Sequence, residues 1–284
     1  MKKPKVLVIL GQTATGKSDL AVKIAKKIKG EIISADSRQV YMGLNIGTGK
    51  ITKKEMKGVP HHLLDVASPK KKFTVADFKQ LAEEKIEEII SRGKTPIICG
   101  GTGFYIDVVV KGVVFPHVPP NLKLRKILEK KNEVELLKIL QKLDPLRAKN
   151  IDAKNKVRLV RAIEIAKALG KVPKIQETES KYKFIKVGLH LPTDELTKKV
   201  TKRVHKMFKQ GLLKEIAKLK KNKISDKRLK ELGFEYYKPT RERVISETIK
   251  YAKRQMTWFK RDKKIKWFSP TQSKKIEEYI NSKI

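Results

Sequence analysis

The chain has one cysteine, Cys99, in 284 residues. No disulfide can form within it, a cysteine-based metal site is disfavoured, and a reducing interior suits it. Long apolar runs are also missing. The N-terminal lysines lead into Val6-Leu7-Val8-Ile9-Leu10 and then a glycine loop, too short for a signal-peptide core or a membrane span. The expectation is a cytoplasmic protein with no membrane partner, and no internal repeat is evident. Acidic residues are the third shortage, with 30 Asp plus Glu against 68 Lys plus Arg and a formal net charge of +38. Such an excess projects a positive potential beyond single contacts, and a polyanion is its natural partner. A heat-adapted lysine-rich surface is the alternative, but that usually enriches glutamate alongside lysine, so nucleic acid is favoured.

What is present begins with length: 284 residues can bury a good core and are expected to hold one large domain plus a smaller one or an insertion. The most informative stretch is Gly11-Gln12-Thr13-Ala14-Thr15-Gly16-Lys17-Ser18, which follows the apolar run and opens a helical pattern at Asp19. In the spacing G-x-x-x-x-G-K-S, glycines take backbone angles denied to other residues, so successive N–H groups converge on an anion at a helix N-terminus. Lys17 adds a cation and Ser18 a magnesium ligand. A tight turn without a ligand is the bland alternative. The strand before the loop and the helix after it are the context a phosphate cradle requires.

The first third alternates strand and helix, the pattern of a parallel sheet with crossover helices. A helix over residues 19–29 leads to a strand at 31–34, whose end delivers Asp36-Ser37-Arg38-Gln39. Another helix starts near Thr74, with Asp77 placed for a capping box and Val75, Phe78, Leu81, Ala82, Ile86, Ile89 and Ile90 at core-facing intervals. Residues 96–99 then read as a buried strand running into Gly100-Gly101-Thr102-Gly103. Beyond Pro116 charge rises and the period turns helical, with Asn132 and Glu135 as a capping pair and a helix from about Asn155 stopped by Gly170. Residues 116–182 are therefore expected to form a small all-helical insertion, with 1–115 and 183–284 as the core. The chain returns to the sheet at 184–191, Thr193 reads as the next N-cap, and the remainder reads as helical through Lys264, with a short tail helix over 273–284.

In an open parallel sheet, ligands collect at the carboxyl ends of the strands. Loops 11–18, 36–39 and 100–103 meet that condition and should be neighbours in space. Asp36 can accept a proton or help hold magnesium there, or it can merely cap a turn. The 100–103 turn lets backbone approach a ligand closely, although a lone glycine cluster is more often an ordinary turn. His61 and His62 are adjacent on an extended segment, point to opposite faces and read as structural. Arg158 and Arg161 can align on a phosphate backbone, or Arg161 can pair with Glu164. The run 253–261 interleaves basic and aromatic residues as nucleic-acid contacts do, yet Met256, Trp258 and Phe259 also have core spacing.

Residues 11–18 read GQTATGKS, 34–50 SADSRQVYMGLNIGTGK, 60–65 PHHLLD, 74–78 TVADF, 100–106 GGTGFYI and 253–259 KRQMTWF. In this order they resemble the tRNA dimethylallyltransferases, also called tRNA isopentenyltransferases, over nearly the whole chain. Gln12 stands where that family usually has proline, Ser18 where threonine is commoner, and Gly49-Lys50-Ile51 where Ala-Lys-Pro is usual. None of these removes a residue the chemistry needs.

The resemblance implies an α/β fold, a P-loop NTPase-like parallel sheet flanked by helices, with the insertion contacting tRNA. It also implies transfer of a dimethylallyl group from dimethylallyl diphosphate to N6 of adenosine 37, in tRNAs reading codons that begin with U. Gly11, Gln12, Thr13, Ala14, Thr15, Gly16, Lys17 and Ser18 would hold the diphosphate, Ser18 together with Mg²⁺. Lys17 and Arg203 would stabilise the leaving group and Asp36 would take the N6 proton. Asp36, Ser37, Arg38 and Gln39 would read the extruded adenosine. Thr102, Arg125 and the segment Val157-Arg158-Leu159-Val160-Arg161 would contact the anticodon stem-loop. The implied partners are tRNA and dimethylallyl diphosphate, with the enzyme read as a monomer.

Three other readings compete. A small-molecule kinase shares the glycine loop but gives no reason for the +38 charge or for Asp36-Ser37-Arg38-Gln39. An isopentenyltransferase of free adenine nucleotides shares the core motifs but has no use for the insertion. An RNA-binding module with a vestigial loop would be expected to lose Lys17 or Asp36, and both are present.

Overall fold

Val6, Leu7, Val8, Ile9 and Leu10 are at most 1% exposed. Successive strand side chains point to opposite faces, so a run buried throughout belongs in the middle of a sheet covered on both sides. The computed structural model, which describes residues 3–284, places it there. The core unit, Met1–Gly112 with Glu179–Ile284, opens with β1 (Lys5–Gly11), α1 (Lys17–Lys27), β2 (Gly30–Ala35), α2 (Lys53–Met56), β3 (His61–His62), α3 (Val75–Ser91), β4 (Thr95–Gly100) and α4 (Gly103–Val110). The second unit, Val113–Thr178, holds β5 (Val113–Val114), α5 (Leu122–Leu128), α6 (Glu133–Leu143), α7 (Pro145–Lys149), α8 (Lys156–Leu169) and β6 (Gln176–Glu177). The core resumes with β7 (Lys183–Leu189), α9 (Thr193–Lys209), α10 (Leu212–Lys221), α11 (Asp226–Leu232), α12 (Arg241–Phe259), β8 (Lys266–Phe268) and α13 (Ser273–Asn281).

The core sheet has six parallel strands in the order β3-β2-β4-β1-β7-β8. Leu7 and Ile9 join Ile24 of α1, Ile97, Val187 and Ile276 of α13 in one apolar layer, and the intervening side chains face the other way. Helix α3 starts at a capping box between Thr74 and Asp77 and buries Phe78, Ala82, Ile86 and Ile89 on one stripe. Burying each of the larger of these side chains contributes roughly 1.5–3 kcal/mol. Because β2, β4 and β1 are parallel neighbours, the chain leaves Ala35, Gly100 and Gly11 at the same edge of the sheet. The three loops picked out in the sequence are therefore adjacent.

The C-terminal half packs in two clusters. Leu196, Val200 and Val204 of α9 meet Val244 and Ala252 of α12. Leu212, Ile216, Leu219, Leu229 and Leu232 of α10 and α11 surround Val40, Tyr41, Leu44 and Tyr236. Two sequence expectations need correction here, and one strand lies outside both. The helical reading through Lys264 is interrupted after α9, α10 and α11, where Gly211 (φ 100°) and Lys223 (φ 62°) take left-handed backbone and residues 233–240 form a loop. The chain then adds β8, whose Lys266–Phe268 pairs with Val187–Leu189; three residues containing a lysine are too short to show a strand period. Pro192, not Thr193, is the N-cap of α9, and Thr193 is its first helical residue. Proline's preset φ and missing donor cost nothing at that position.

In the second unit, Leu128, Leu136, Leu140, Leu159 and Ile163 form the core. Asn132 and Glu135 close a capping box on α6, Asp144 caps α7 and Asn155 caps α8, each cap being worth about 1 kcal/mol. Helices carry this core, and one antiparallel pair, Val113 with Glu177 and Val114 with Gln176, joins the unit's ends.

Candidate active site

The glycine loop leaves β1 between two buried anchors. The Gln12 side-chain oxygen accepts the Leu191 N–H at 3.1 Å, and Thr15 Oγ1 donates to the Gln12 carbonyl at 2.8 Å. Ala14 (φ 62°) and Gly16 (φ 84°) both take left-handed backbone, which bends the loop into a concave row of N–H groups. Gly16 is the N-cap of α1 and no side chain caps that helix, so its first-turn donors face the loop's mouth. Helix α1 begins at Lys17, two residues before the sequence suggests. Lys17 Nζ folds back onto the Gln12 carbonyl, while Ser18 is exposed. Burial lowers Lys17 to about 8, with Arg203 pushing in the same direction and Cys99 and Asp36 opposing it.

Beside this loop stands Asp36. Its Oδ1 accepts the Arg38 N–H at 2.8 Å and the Gln39 N–H at 3.3 Å, the turn-capping role weighed for it. That role uses one oxygen, and among the described residues Oδ2 accepts no hydrogen bond. Thr102 ties two of the loops together: its Oγ1 accepts the Ser37 N–H at 3.0 Å and its own N–H donates to the Ala35 carbonyl at 3.2 Å. Arg38 donates to the Glu231 carbonyl. Gln39 Oε1 accepts from Ser34 Oγ at 3.2 Å and its Nε2 reaches the Thr48 and Gly49 carbonyls at 3.5 and 3.4 Å.

Arg203 enters from α9. Its Nη2 donates to the Thr48 carbonyl at 3.0 Å, and the guanidinium lies so close over Gly49 that a Cβ there would meet Nη2 at 2.1 Å. The absence of a side chain at Gly49 is what leaves room for this guanidinium. Burial holds Arg203 below its ordinary range, against the pull of Asp36 and Glu235. Glu235 is itself pushed up to about 7 by burial, against Arg38 and Arg203 and with Asp36 adding to the rise.

Sequence reasoning missed two groups here. Gln255, buried on α12, accepts the Thr13 N–H at 2.8 Å and donates to the Gly101 carbonyl at 2.8 Å, joining the glycine loop to the 100–103 turn. Its signal is a glutamine on the same helical stripe as Ala252 and Phe259. Glu235 lies in the 233–240 loop, which the helical reading hid. Of the aromatic run, Phe259 is core; Trp258 donates to Asp107 at 3.2 Å and stacks edge-on to Phe104.

In the second unit, Arg125 makes a two-pronged ion pair with Glu164, at 2.7 Å from Nε and 2.6 Å from Nη2. Arg161 donates to the Val118 carbonyl at 2.8 Å and reaches Glu164 at 3.4 Å. Val157 is 78% exposed and Arg158 is exposed, whereas Leu159 and Val160 are buried among the helices. Packing thus removes the Leu159 and Val160 side chains from the surface and leaves Val157 and Arg158 on it. His61 hydrogen-bonds the Val59 carbonyl and His62 the Glu31 carboxylate, a structural use of both rings. Among the described residues no group of three or more His, Cys, Asp or Glu is arranged to hold a metal.

A glycine loop running from a central parallel strand onto an uncapped helix, with a half-buried lysine behind it, defines a P-loop α/β protein. Residues 39–262 match the family described as IPP transferase, and the chain belongs to that family. It is 38% identical to the tRNA dimethylallyltransferase of Anoxybacillus flavithermus, over 98% of this chain and 94% of that one. The enzyme of the same name from Halothermothrix orenii is 37% identical over 93% of this chain and 87% of its own. Among solved structures, the full-length tRNA isopentenylpyrophosphate transferase of Bacillus halodurans superposes with a TM-score of 0.73 at 34% identity, covering 99% of this chain and 97% of that one. A eukaryotic dimethylallyltransferase acting on tRNA gives a TM-score of 0.80 at 26% identity, covering 99% of this chain and 77% of its own.

Proposed function

We infer that this protein transfers the dimethylallyl group of dimethylallyl diphosphate to N6 of adenosine 37 in tRNA, giving N6-dimethylallyladenosine and diphosphate. The observation that carries the reading is the position of Asp36 at one sheet edge with the glycine loop and the Thr102 turn, inside a cluster that includes Lys17 and Arg203. In the reaction, N6 attacks the allylic carbon, the carbon–oxygen bond breaks with its electron pair leaving on diphosphate, and the N6 proton passes to Asp36. Lys17, Arg203 and the first-turn N–H groups of α1 stabilise the charge that grows on the departing oxygen. An adenine amine is a poor nucleophile, so holding it in line with the allylic carbon matters as much as the base.

The exposed Ser18 hydroxyl and the donor's own oxygens are the hard donors Mg²⁺ takes; bound there, the ion would neutralise leaving-group charge. Ser37, Arg38, Gln39 and Thr102 contact the extruded adenosine and its neighbours. In the second unit, Arg125, Val157, Arg158 and Arg161 meet the anticodon stem-loop, and the charge of +38 draws the polyanion in. We take the tRNAs to be those reading codons that begin with U, and the enzyme to act in the cytoplasm as a monomer. Among the described residues no helix is long and apolar enough to cross a membrane.

The test is to incubate the protein with labelled dimethylallyl diphosphate or labelled ATP and either tRNA or AMP. Label passing from dimethylallyl diphosphate to tRNA is expected. Phosphate transfer from ATP, or prenyl transfer to AMP alone, would overturn the reading.

A further inference from the structure

A second carboxylate outside the reacting cluster bears on its geometry. Glu215, on α10, accepts the Asn45 and Ile46 N–H groups on Oε2 at 3.0 and 2.8 Å, and the Gly47 N–H on Oε1 at 3.1 Å. The Tyr236 hydroxyl completes the set at 2.9 Å from Oε1, and its ring packs against Gly47 so closely that a Cβ there would meet the ring at 2.6 Å. Four donors thus converge on one carboxylate, which fixes three successive peptide units of the 45–49 loop. Charge-assisted bonds of this kind are the stronger ones in a protein.

The next two residues of that loop are the floor of the site. Thr48 offers its carbonyl to Arg203 at 3.0 Å, and Gly49 makes room for the guanidinium. The same two carbonyls lie 3.4–3.5 Å from Gln39 Nε2, a looser contact. Thr48 Oγ1 donates back to the Leu44 carbonyl at 2.7 Å and the Gly49 N–H to the Ile46 carbonyl at 3.0 Å, so hydrogen bonds brace the loop from Leu44 to Gly49. An amide in place of the carboxylate would turn an NH₂ toward backbone donors, and the loop would have to shift.

We propose that Glu215 is a positioning residue for the diphosphate side of the site: by gathering the 45–47 N–H groups it sets the Thr48 carbonyl and Gly49 that aim Arg203 at the leaving group. The proposal rests on the reading of the site given above. It differs from a merely structural role in a specific way, because its effect on the donor must pass through Arg203.

Inorganic pyrophosphate is the probe, since its binding can be measured whether or not prenyl transfer occurs. Glu215→Gln is expected to weaken pyrophosphate binding by about tenfold, the scale on which small displacements of a positioned group are felt, while tRNA affinity stays within about twofold. In an Arg203→Ala background the same substitution is expected to change pyrophosphate affinity hardly at all. Equal losses with and without Arg203 would overturn the proposal, as would a lowered melting temperature with unchanged pyrophosphate affinity. If Glu215→Gln does not fold, Tyr236→Phe removes one of the four donors and is expected to cost about threefold, again only when Arg203 is present; independence from Arg203 would overturn the proposal there too. Wild-type protein that binds pyrophosphate yet transfers no prenyl group would sink the proposed function and leave this cycle readable.

Discussion

The two units treat their charges in opposite ways. In the core, Lys17, Arg203 and Glu235 share a site with Asp36, and burial outweighs partnership: both cations are pushed toward neutrality and Glu235 up to about 7. In the second unit pairing prevails. Its hydrogen bond to Glu164 holds Arg125 above its ordinary range, and although burial opposes the Glu164 charge, Arg125 and the Asn121 N–H keep that carboxyl low. The matched pair ties α5 to α8, and the Arg125 side chain stays 29% exposed. Charges crowded into a cleft without matched partners remain available to an incoming ion, which is why such shifts mark functional sites.

Breaking the core half of this comparison should have the largest effect. Asp36→Ala removes the proposed proton acceptor, and turnover is expected to fall by roughly three orders of magnitude, with tRNA binding in a filter assay largely intact; equal loss of both would make Asp36 structural. Next comes Glu235. Its raised pKa means the folded protein keeps a proton that the unfolded chain gives up, so stability from this group is present below its ordinary 4.5 and lost as pH rises to about 7. Denaturant titrations of Glu235→Gln should lack that loss, which amounts to on the order of 3 kcal/mol; identical pH profiles for variant and wild type would show the group is not desolvated.

Lys17 gives the third prediction. With its amine at about 8, kcat/KM for the donor should fall close to tenfold per pH unit above 8 as the free enzyme loses the proton that helps hold diphosphate. A flat profile to pH 9 would remove Lys17 from the binding step. The smallest effect belongs to the second unit. Arg158 is exposed and lies 3.9 Å from an equally exposed Asp152, a pair worth little to stability. Arg158→Ala is expected to weaken tRNA binding a few-fold and flatten its salt dependence by about one counterion, leaving the donor's KM unchanged.

How much of this was legible in the sequence follows from how far apart in the chain the cooperating residues lie. The glycine loop, Asp36 and the Gly100–Gly103 turn each sit at the end of an apolar run, and the parallel pattern alone makes them neighbours. The capping boxes at Thr74 and Asn132 are equally local, with partners three residues on. Gln255 is different: it joins Thr13 and Gly101, residues remote in sequence, and nothing near it marks that use. Glu215 and the 45–47 N–H groups are likewise brought together only by packing of α10 on Leu44 and Tyr41. The Arg161–Glu164 pair is local and legible from its i,i+3 spacing, whereas the share that Arg125 takes of the same carboxylate is a tertiary fact. Strand β8 escaped because its three residues have no period, and its place is set by the exposed flank of β7.

The proposed function requires the glycine loop to hold the donor's diphosphate while other surfaces bind tRNA. Product inhibition by inorganic pyrophosphate tests it most directly. Pyrophosphate should compete with dimethylallyl diphosphate and leave the Kd for tRNA unchanged. Pyrophosphate that displaces tRNA, or that fails to compete with the donor, would rule out this division of the binding surfaces.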